Sequence, residues 1–234
     1  MNSLTCDQNI VEVFCVFDDF AELIKTRSGS GRKPKLSLSE VETISLIRSE
    51  YAIRTWKALY QLLTDKFTQE FNLPNYKNFV ETMNRTSLEL LVLINGLLQI
   101  NKEKAGVIKL IDSTAIPVCH NKRIKKHKTM KHWASRKKTT MGWFYGLKLH
   151  IVSDLDGNLL EIHFTTGSVD DRVILDKVLE KLKNSILIGD AGYVSEKLEK
   201  KAAKNRNVLI TVIRNNMKKM TTPVHNYLLN LRSR

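Results

Sequence analysis

The sequence predicts an α/β domain built on a mixed sheet, preceded by an all-α domain. Three observations predict it. Helical periodicity dominates residues 1 to about 105. Short β-branched runs bounded by turn formers replace it after Asn101. The later elements follow the order β, β-hairpin, α, β, α, β, which joins an antiparallel hairpin to parallel crossovers.

In the first half, Ile10, Val13, Phe14, Phe17, Phe20, Ala21 and Ile24 recur at helical spacing and predict one amphipathic helix. Ser28-Gly29-Ser30-Gly31-Arg32-Lys33-Pro34 follows as a flexible basic linker. Ser37-Leu38-Ser39-Glu40 fits a capping box, with Val41, Ile44, Leu46 and Ile47 behind it. Further helices are expected near Trp56 to Phe71 and Tyr76 to Met83. A fourth, from about Ser87 to Ile100, is dense in leucine and is expected to be buried. Several short helices in a basic protein are compatible with a DNA-reading helix-turn-helix. No element carries a clear row of Arg, Asn or Gln on one face, which leans towards a plain packing domain.

In the second half, strands are expected at Val107 to Ile111, Tyr145 to Ser153 and Leu159 to Thr165. Asp156-Gly157 supplies a hairpin turn between the last two. A helix is expected from Asp171 to about Leu182, with Val173, Ile174, Val178, Leu179 and Leu182 facing inward. An apolar strand from Ser185 to Gly189, a basic helix from about Ser195 to Lys204 and a strand from Val208 to Ile213 complete the order.

Composition narrows the partners. The 234 residues are 42% hydrophobic and carry 38 Lys+Arg against 24 Asp+Glu, a formal net charge of +14. Such an excess points to polyanions or an acidic membrane surface. No apolar run approaches the length of a membrane span and no signal-peptide pattern opens the chain, so a soluble cytoplasmic protein is expected, with no membrane partner and no small-molecule substrate. Cys6, Cys15 and Cys119 form no CxxC pair, which suits a reducing compartment.

The chemistry centres on Asp112. The apolar run Val107 to Ile111 delivers this carboxylate to the end of a buried strand, a fixed point of the kind metal chemistry requires. Taken alone, Asp112 also suits a simple Asx-turn with Ser113 and Thr114. Asp190 repeats the logic after Ile186-Leu187-Ile188, with Gly189 and Gly192 allowing a sharp turn. Neighbouring in a parallel part of the sheet, the two carboxylates would repel unless a cation sat between them, and Mg2+ or Mn2+ suits hard oxygen ligands.

From Ser113 to Ser153 there is no acidic residue. The same window holds Lys122, Arg123, Lys125, Lys126, Lys128, Lys131, Arg136, Lys137, Lys138 and Lys148, interleaved with Trp133, Trp143, Phe144 and Tyr145. Beside a metal site, such a stretch makes a phosphate-backbone cradle. Lys148 and His150 share one side of a strand. Whether that side is the working face or solvent is left open. Cys119, His120, His127 and His132 match no standard zinc spacing. Asp170-Asp171 reads as the cap and first-turn charge of the following helix.

These residues resemble a known group. IDSTAIPVC at 111–119, GWFYGLKLHIV at 142–152, GDAGY at 189–193, VIRNNMK at 212–218 and PNYKNFVETMNR at 74–85 are similar to bacterial insertion-sequence transposases of the DDE type, in particular the insertion-sequence family numbered nine hundred and eighty-two. The resemblance covers most of the chain. It implies an RNase H-like mixed sheet in a catalytic domain over 106–234, with 1–105 as a helical N-terminal candidate for DNA binding. It also implies two Mg2+ or Mn2+ ions in the complete enzyme, held by Asp112 and Asp190 as catalytic and metal-binding residues. The implied activity is DNA cleavage and strand transfer at terminal inverted repeats, by a homo-oligomer on DNA in the bacterial nucleoid. Lys122, Arg123, Lys125, Lys126, Lys137, Lys138, Lys148, His150 and Arg214 are the expected DNA contacts. The family's third acid is a glutamate on a later helix. No acidic residue follows Glu199 here, so the resemblance implies a chain truncated or completed by frameshift, with reduced or no activity. The alternative is a non-catalytic DNA-binding protein that regulates or inhibits transposition.

Overall fold

The computed structural model describes residues 3–23, 34–140, 142–212 and 222–232. The chain divides into two compact units, Met1–Leu97 and Leu98–Arg234. The division falls inside a helix rather than at the expected 105/106 boundary.

The first unit is helical. Its elements are α1 (Ser3–Leu23), α2 (Leu38–Glu50), α3 (Trp56–Lys66), α4 (Tyr76–Arg85) and the start of α5 (Ser87–Lys104). The linker expected from Ser28 lies outside the described residues apart from Pro34, as does Ile24. The capping box forms as expected: the Ser37 hydroxyl accepts from the Glu40 amide at 3.1 Å, and the Ser37 amide donates to Glu40 Oε2 at 2.6 Å. Behind it, Val41, Ile44 and Ile47 pack with Leu59, Leu63, Phe67, Phe71 and Phe79 into one buried cluster. Helix α3 stops at Lys66, short of the expected Phe71. Phe67 leaves helical geometry at φ −125°, and both phenylalanines enter the core from beyond the helix end.

One expectation of burial fails in the helical half, and one buried residue there is a finding of its own. Leucine-rich α5 is not buried as a whole: Leu88 is 70% exposed, and Leu91, Val92 and Leu97 are exposed too. An all-round apolar helix usually signals burial. Here Leu93 is its one buried aliphatic residue within the first unit. The second surprise is Glu42, on the inner side of α2. It is 1% exposed, and neither carboxyl oxygen has a hydrogen-bond partner.

The second unit contains six strands: β1 (Ile108–Cys119), β2 (Ser135–Thr139), β3 (Gly142–Asp154), β4 (Leu159–Thr166), β5 (Ile186–Gly189) and β6 (Val208–Thr211). They form one sheet in the order β2-β3-β1-β5-β6, with β4 also paired to β3. β1 and β3, β3 and β4, and β2 and β3 run antiparallel, whereas β1, β5 and β6 run parallel. Helix α6 (Asp171–Lys181) connects β4 to β5, α7 (Glu196–Lys204) connects β5 to β6, and α8 (Pro223–Leu231) follows β6. Four strands joined by antiparallel pairing, followed by two parallel ones with crossover helices, make the RNase H-like arrangement, as expected. Ile111, Val152, Leu160 and Leu187 of the sheet pack with Ile174, Leu175, Val178 and Leu179 of α6. Val173, expected to face inward, is 48% exposed; Leu175 takes its place.

The hairpin at Asp156-Gly157 forms, with Gly157 at φ +85°. Asp154 organises it by accepting from the Asp156 amide at 3.0 Å and the Asn158 amide at 2.9 Å. Strand β1 is much longer than expected. It continues past Pro117 because its register shifts between Pro117 and Cys119, an irregularity that tolerates proline. Opposite, Gly146 admits the close approach: a Cβ there would stand 2.0 Å from the Ile116 carbonyl oxygen. The basic segment is not one loop either. It contains a 3-10 helix at Asn121–Lys126 and then β2. Among the described residues, no helix is long and apolar enough to cross a membrane.

Burial pushes the Glu42 carboxyl up to about 7, and the charge of Glu89 adds to it. Between the ordinary value of 4.5 and about 7, the folded chain keeps a proton that the unfolded chain has released. Stability from this group is therefore full below pH 4.5 and is lost as pH rises through 7. Glu42→Leu is expected to flatten that dependence and to raise stability at pH 8 by about 2 kcal/mol. Urea denaturation at both ends of the range reads it. An unchanged pH dependence in the variant would refute the assignment.

Candidate active site at the end of the parallel strands

β1 and β5 pair in parallel through Ile108/Ile186, Lys109/Leu187 and Leu110/Ile188. Asp190 continues extended beyond β5, at φ −77° and ψ 179°. Carrying the register on by two residues sets Asp112 opposite Asp190, with both side chains on the same sheet face. Asp112 is thus not at a strand end, as expected, but inside β1, at the point where the β5 pairing stops. Nor does it start a turn: Asp112 pairs with Ile151, Ser113 with His150 and Thr114 with Leu149.

The Asp112 side chain is 66% exposed, and its Oδ1 lies 3.2 Å from an Arg232 guanidinium nitrogen at the end of α8. The same oxygen accepts the Ser113 amide at 2.8 Å. Asp190 Oδ1 accepts the Gly192 amide at 2.8 Å. Neither Gly189 nor Gly192 has a positive φ. Crowding, rather than a sharp turn, explains them. A Cβ on Gly189 would stand 3.0 Å from Ile111 Cγ2 and from the Tyr193 ring. One on Gly192 would stand 3.0 Å from Asp190 Oδ1 and 3.3 Å from Asp171 Oδ2.

Asp171 therefore belongs to the same neighbourhood, a role its capping position did not reveal. Asp170 does cap α6, accepting the Arg172 amide at 3.0 Å. The Arg172 guanidinium, hydrogen-bonded to it, holds its carboxyl well below the usual range. Asp171 instead pairs with the Lys148 ammonium, which is 6% exposed. Tyr193 sits beside these acids, fully buried. Burial pushes its phenol pKa up, and the charges of Asp171, Asp190 and Asp112 push it further. Its hydroxyl makes no hydrogen bond of ordinary geometry, although the nearby Ser113 hydroxyl slightly favours the ionised form.

Lys148 and His150 thus do face one side, but it is the buried side. His150 is 0% exposed and meets Thr165 Oγ1 at 2.9 Å. Burial lowers its pKa, outweighing Asp171 at 3.9 Å, so the imidazole is neutral in the fold. This placement gives both residues internal partners, in contrast to the expected DNA contact. Lys137 is half-buried, with Nζ on the Val169 carbonyl at 3.1 Å. Its pKa is lowered, by burial first and then by Lys148. Lys122, Arg123, Lys125, Lys126 and Lys138 are exposed, and Arg214 lies outside the described residues. His120 and His127 accept backbone amides from Lys122 and Met130, both at 3.3 Å. Among the described residues no group of three or more His, Cys, Asp or Glu is placed to hold a metal ion. Two hard carboxylates on one face nonetheless fit Mg2+ or Mn2+, since such ions take one or two protein carboxylates and complete their shell with water and substrate phosphate.

The Lys148–Asp171 pair has a measurable consequence. Lys148→Met leaves a nearly buried carboxylate without its cation and is expected to cost about 3 kcal/mol. Lys148→Met combined with Asp171→Leu is expected to recover most of that loss in urea denaturation. If the double variant is no more stable than the single one, the pair does not hold α6 to β3.

Residues 102–234 match a family model described as a transposase DDE domain. No curated protein matches the sequence. Among solved structures, a piggyBac transposase synaptic complex with hairpin DNA is similar at 13% identity and a TM-score of 0.41, over 91% of this chain and 49% of that one. A Mos1 transposase paired-end complex with the left transposon end is similar at 11% identity and a TM-score of 0.27, over 82% and 64%. A pre-cleavage Mos1 transpososome is similar at 12% identity and a TM-score of 0.25, over 79% and 61%. The chain spans about half the length of the first of these and under two thirds of the others. With more than half of its residues matched by that family model, the chain belongs to the transposase DDE domain family.

Proposed function

We propose that this chain is the catalytic region of a transposase of the bacterial insertion-sequence type, similar to the family numbered nine hundred and eighty-two, and that it cuts and joins DNA strands. The observation that supports this reading is the parallel register of β1 and β5, which, carried on by two residues, puts Asp112 across from Asp190. Asp112 and Asp190 are the residues to hold Mg2+ or Mn2+. Such an ion supplies activation of an attacking oxygen and stabilisation of a leaving one in phosphoryl transfer. Water and then a 3′-hydroxyl serve as nucleophiles. Ile111, Leu187 and Tyr193, all fully buried, fix the backbone that aims the two carboxylates. Lys122, Arg123, Lys125, Lys126 and Lys138, exposed and free of nearby acidic sequence, hold the phosphate backbone, together with Arg214. Terminal inverted repeats and target DNA are the partners, bound by a homo-oligomer in the nucleoid.

One observation favours a second reading, a DNA-binding regulator without strand cutting: Arg232 already neutralises Asp112. Calorimetric titration with Mn2+ separates the two. On the first reading, Asp112→Asn or Asp190→Asn weakens Mn2+ binding by on the order of tenfold or more, Arg232→Ala strengthens it, and duplex binding survives in all three. Mn2+ affinity that ignores both aspartates would leave only the regulator.

A further inference from the structure

The β2–β3 edge carries a feature that the carboxylate site does not use. Trp133, just before β2, is 68% exposed, and Trp143, at the start of β3, is 52% exposed. Lys138 lies directly across from Trp143 in the antiparallel register. The Arg136 guanidinium stacks over the Trp143 ring, 4.6 Å from its centroid. Both basic residues are exposed. The basic 3-10 helix at Asn121–Lys126 is tied to the same place, since Asn121 Nδ2 donates to the Trp143 carbonyl at 2.6 Å. β2 ends the sheet, so no further strand covers it.

Charge alone would be served by lysine and arginine on any scaffold. Two exposed indoles among them require a different partner surface. A duplex buries its base faces in the stack and offers a flat edge mainly phosphates, which an indole meets only through its one N–H donor, leaving the ring face unused. An unpaired nucleotide offers a phosphate and a π face together. The guanidinium on Trp143 further holds that ring in one orientation, which lowers the ordering cost of a second stacked plane.

We propose that this edge is a stacking platform for unpaired DNA nucleotides. Trp143 and Trp133 supply the ring faces, and Arg136, Lys138 and the basic 3-10 helix supply the backbone charge. The proposal rests on the DNA reading above and extends it to a second contact. Trp143 is eight residues along β3 from Ile151, the partner of Asp112. At strand spacing that is roughly 27 Å, or about eight nucleotides at the rise of duplex DNA. The nucleotides held here are therefore not the ones that react at the carboxylates.

The test measures fluorescence anisotropy of a labelled dT20 strand and of a labelled 20-base-pair duplex with the whole chain. Trp133→Ala and Trp143→Ala are each expected to weaken dT20 binding roughly tenfold while changing duplex binding little. Trp143→Phe keeps most of the affinity, which separates lost stacking from lost folding. Equal weakening on both probes, or no weakening on dT20 in either alanine variant, would overturn the platform. A wild-type chain that binds the duplex but not dT20 also overturns it and leaves the transposase reading standing. A wild-type chain that binds neither probe defeats both.

Discussion

The second unit depends on the parallel register between β1 and β5. Three residue pairs set it, from Ile108/Ile186 to Leu110/Ile188. Because side chains alternate along a strand, a slip of one residue would turn one aspartate to the opposite face. The apolar pattern forbids that slip. Ile111 and Leu187 must both enter the cluster beneath α6, and this sends Leu110, Asp112, Ile188 and Asp190 to the other face. Gly189 completes the constraint. It sits against Ile111 and Tyr193 with no room for a side chain, so β5 stays flush with β1 up to the residue before the carboxylate.

Electrostatics then has to reconcile a knot of carboxylates with a chain of net charge +14. Each acid has its own answer. Asp171 takes the buried Lys148 ammonium, a pairing that a lysine at 6% exposure requires as much as the aspartate does. Asp112 is open to solvent and meets Arg232. Asp190 accepts a backbone amide. Tyr193, with all three charges nearby, remains firmly protonated. The phenol and the His150 imidazole among these acids therefore stay neutral at neutral pH.

Local signals were the legible ones. The capping box at Ser37, the Asp156-Gly157 turn, the Asp170 cap and the order of strands and helices after Asn101 could be read because each depends on residues within a few positions of one another. What escaped reading depends on distant partners. β1 runs on past Pro117 only because Gly146, far along the chain, lets the two backbones approach. β2 has no apolar alternation of its own; it becomes a strand because residues 142–146 of β3 offer a free edge. Lys148 and His150 alternate with Leu147, Leu149 and Ile151, which shows that they share a face but not which one. The decision belongs to α6, whose Asp171 meets the lysine. Leucine density in α5 predicts burial, yet density without periodicity does not identify a buried side.

The same charges place the two ends of the long strand β3 in different roles. Near Trp143 the surface is cationic and aromatic, and it attracts a polyanion without help. Near Ile151 the neighbouring β1 presents Asp112, which repels phosphate unless a cation intervenes. On the proposed reading, DNA is captured first at the basic edge and only then reaches carboxylates that need neutralising. Arg232 meets that need within the chain itself, one guanidinium against one carboxylate at 3.2 Å. A divalent ion, which Asp112 and Asp190 would hold, would supply two positive charges. The arginine contact is the weaker competitor, since an exposed ion pair contributes about 1 kcal/mol or less. It can keep Asp112 screened in the absence of a divalent ion without holding the site closed against one.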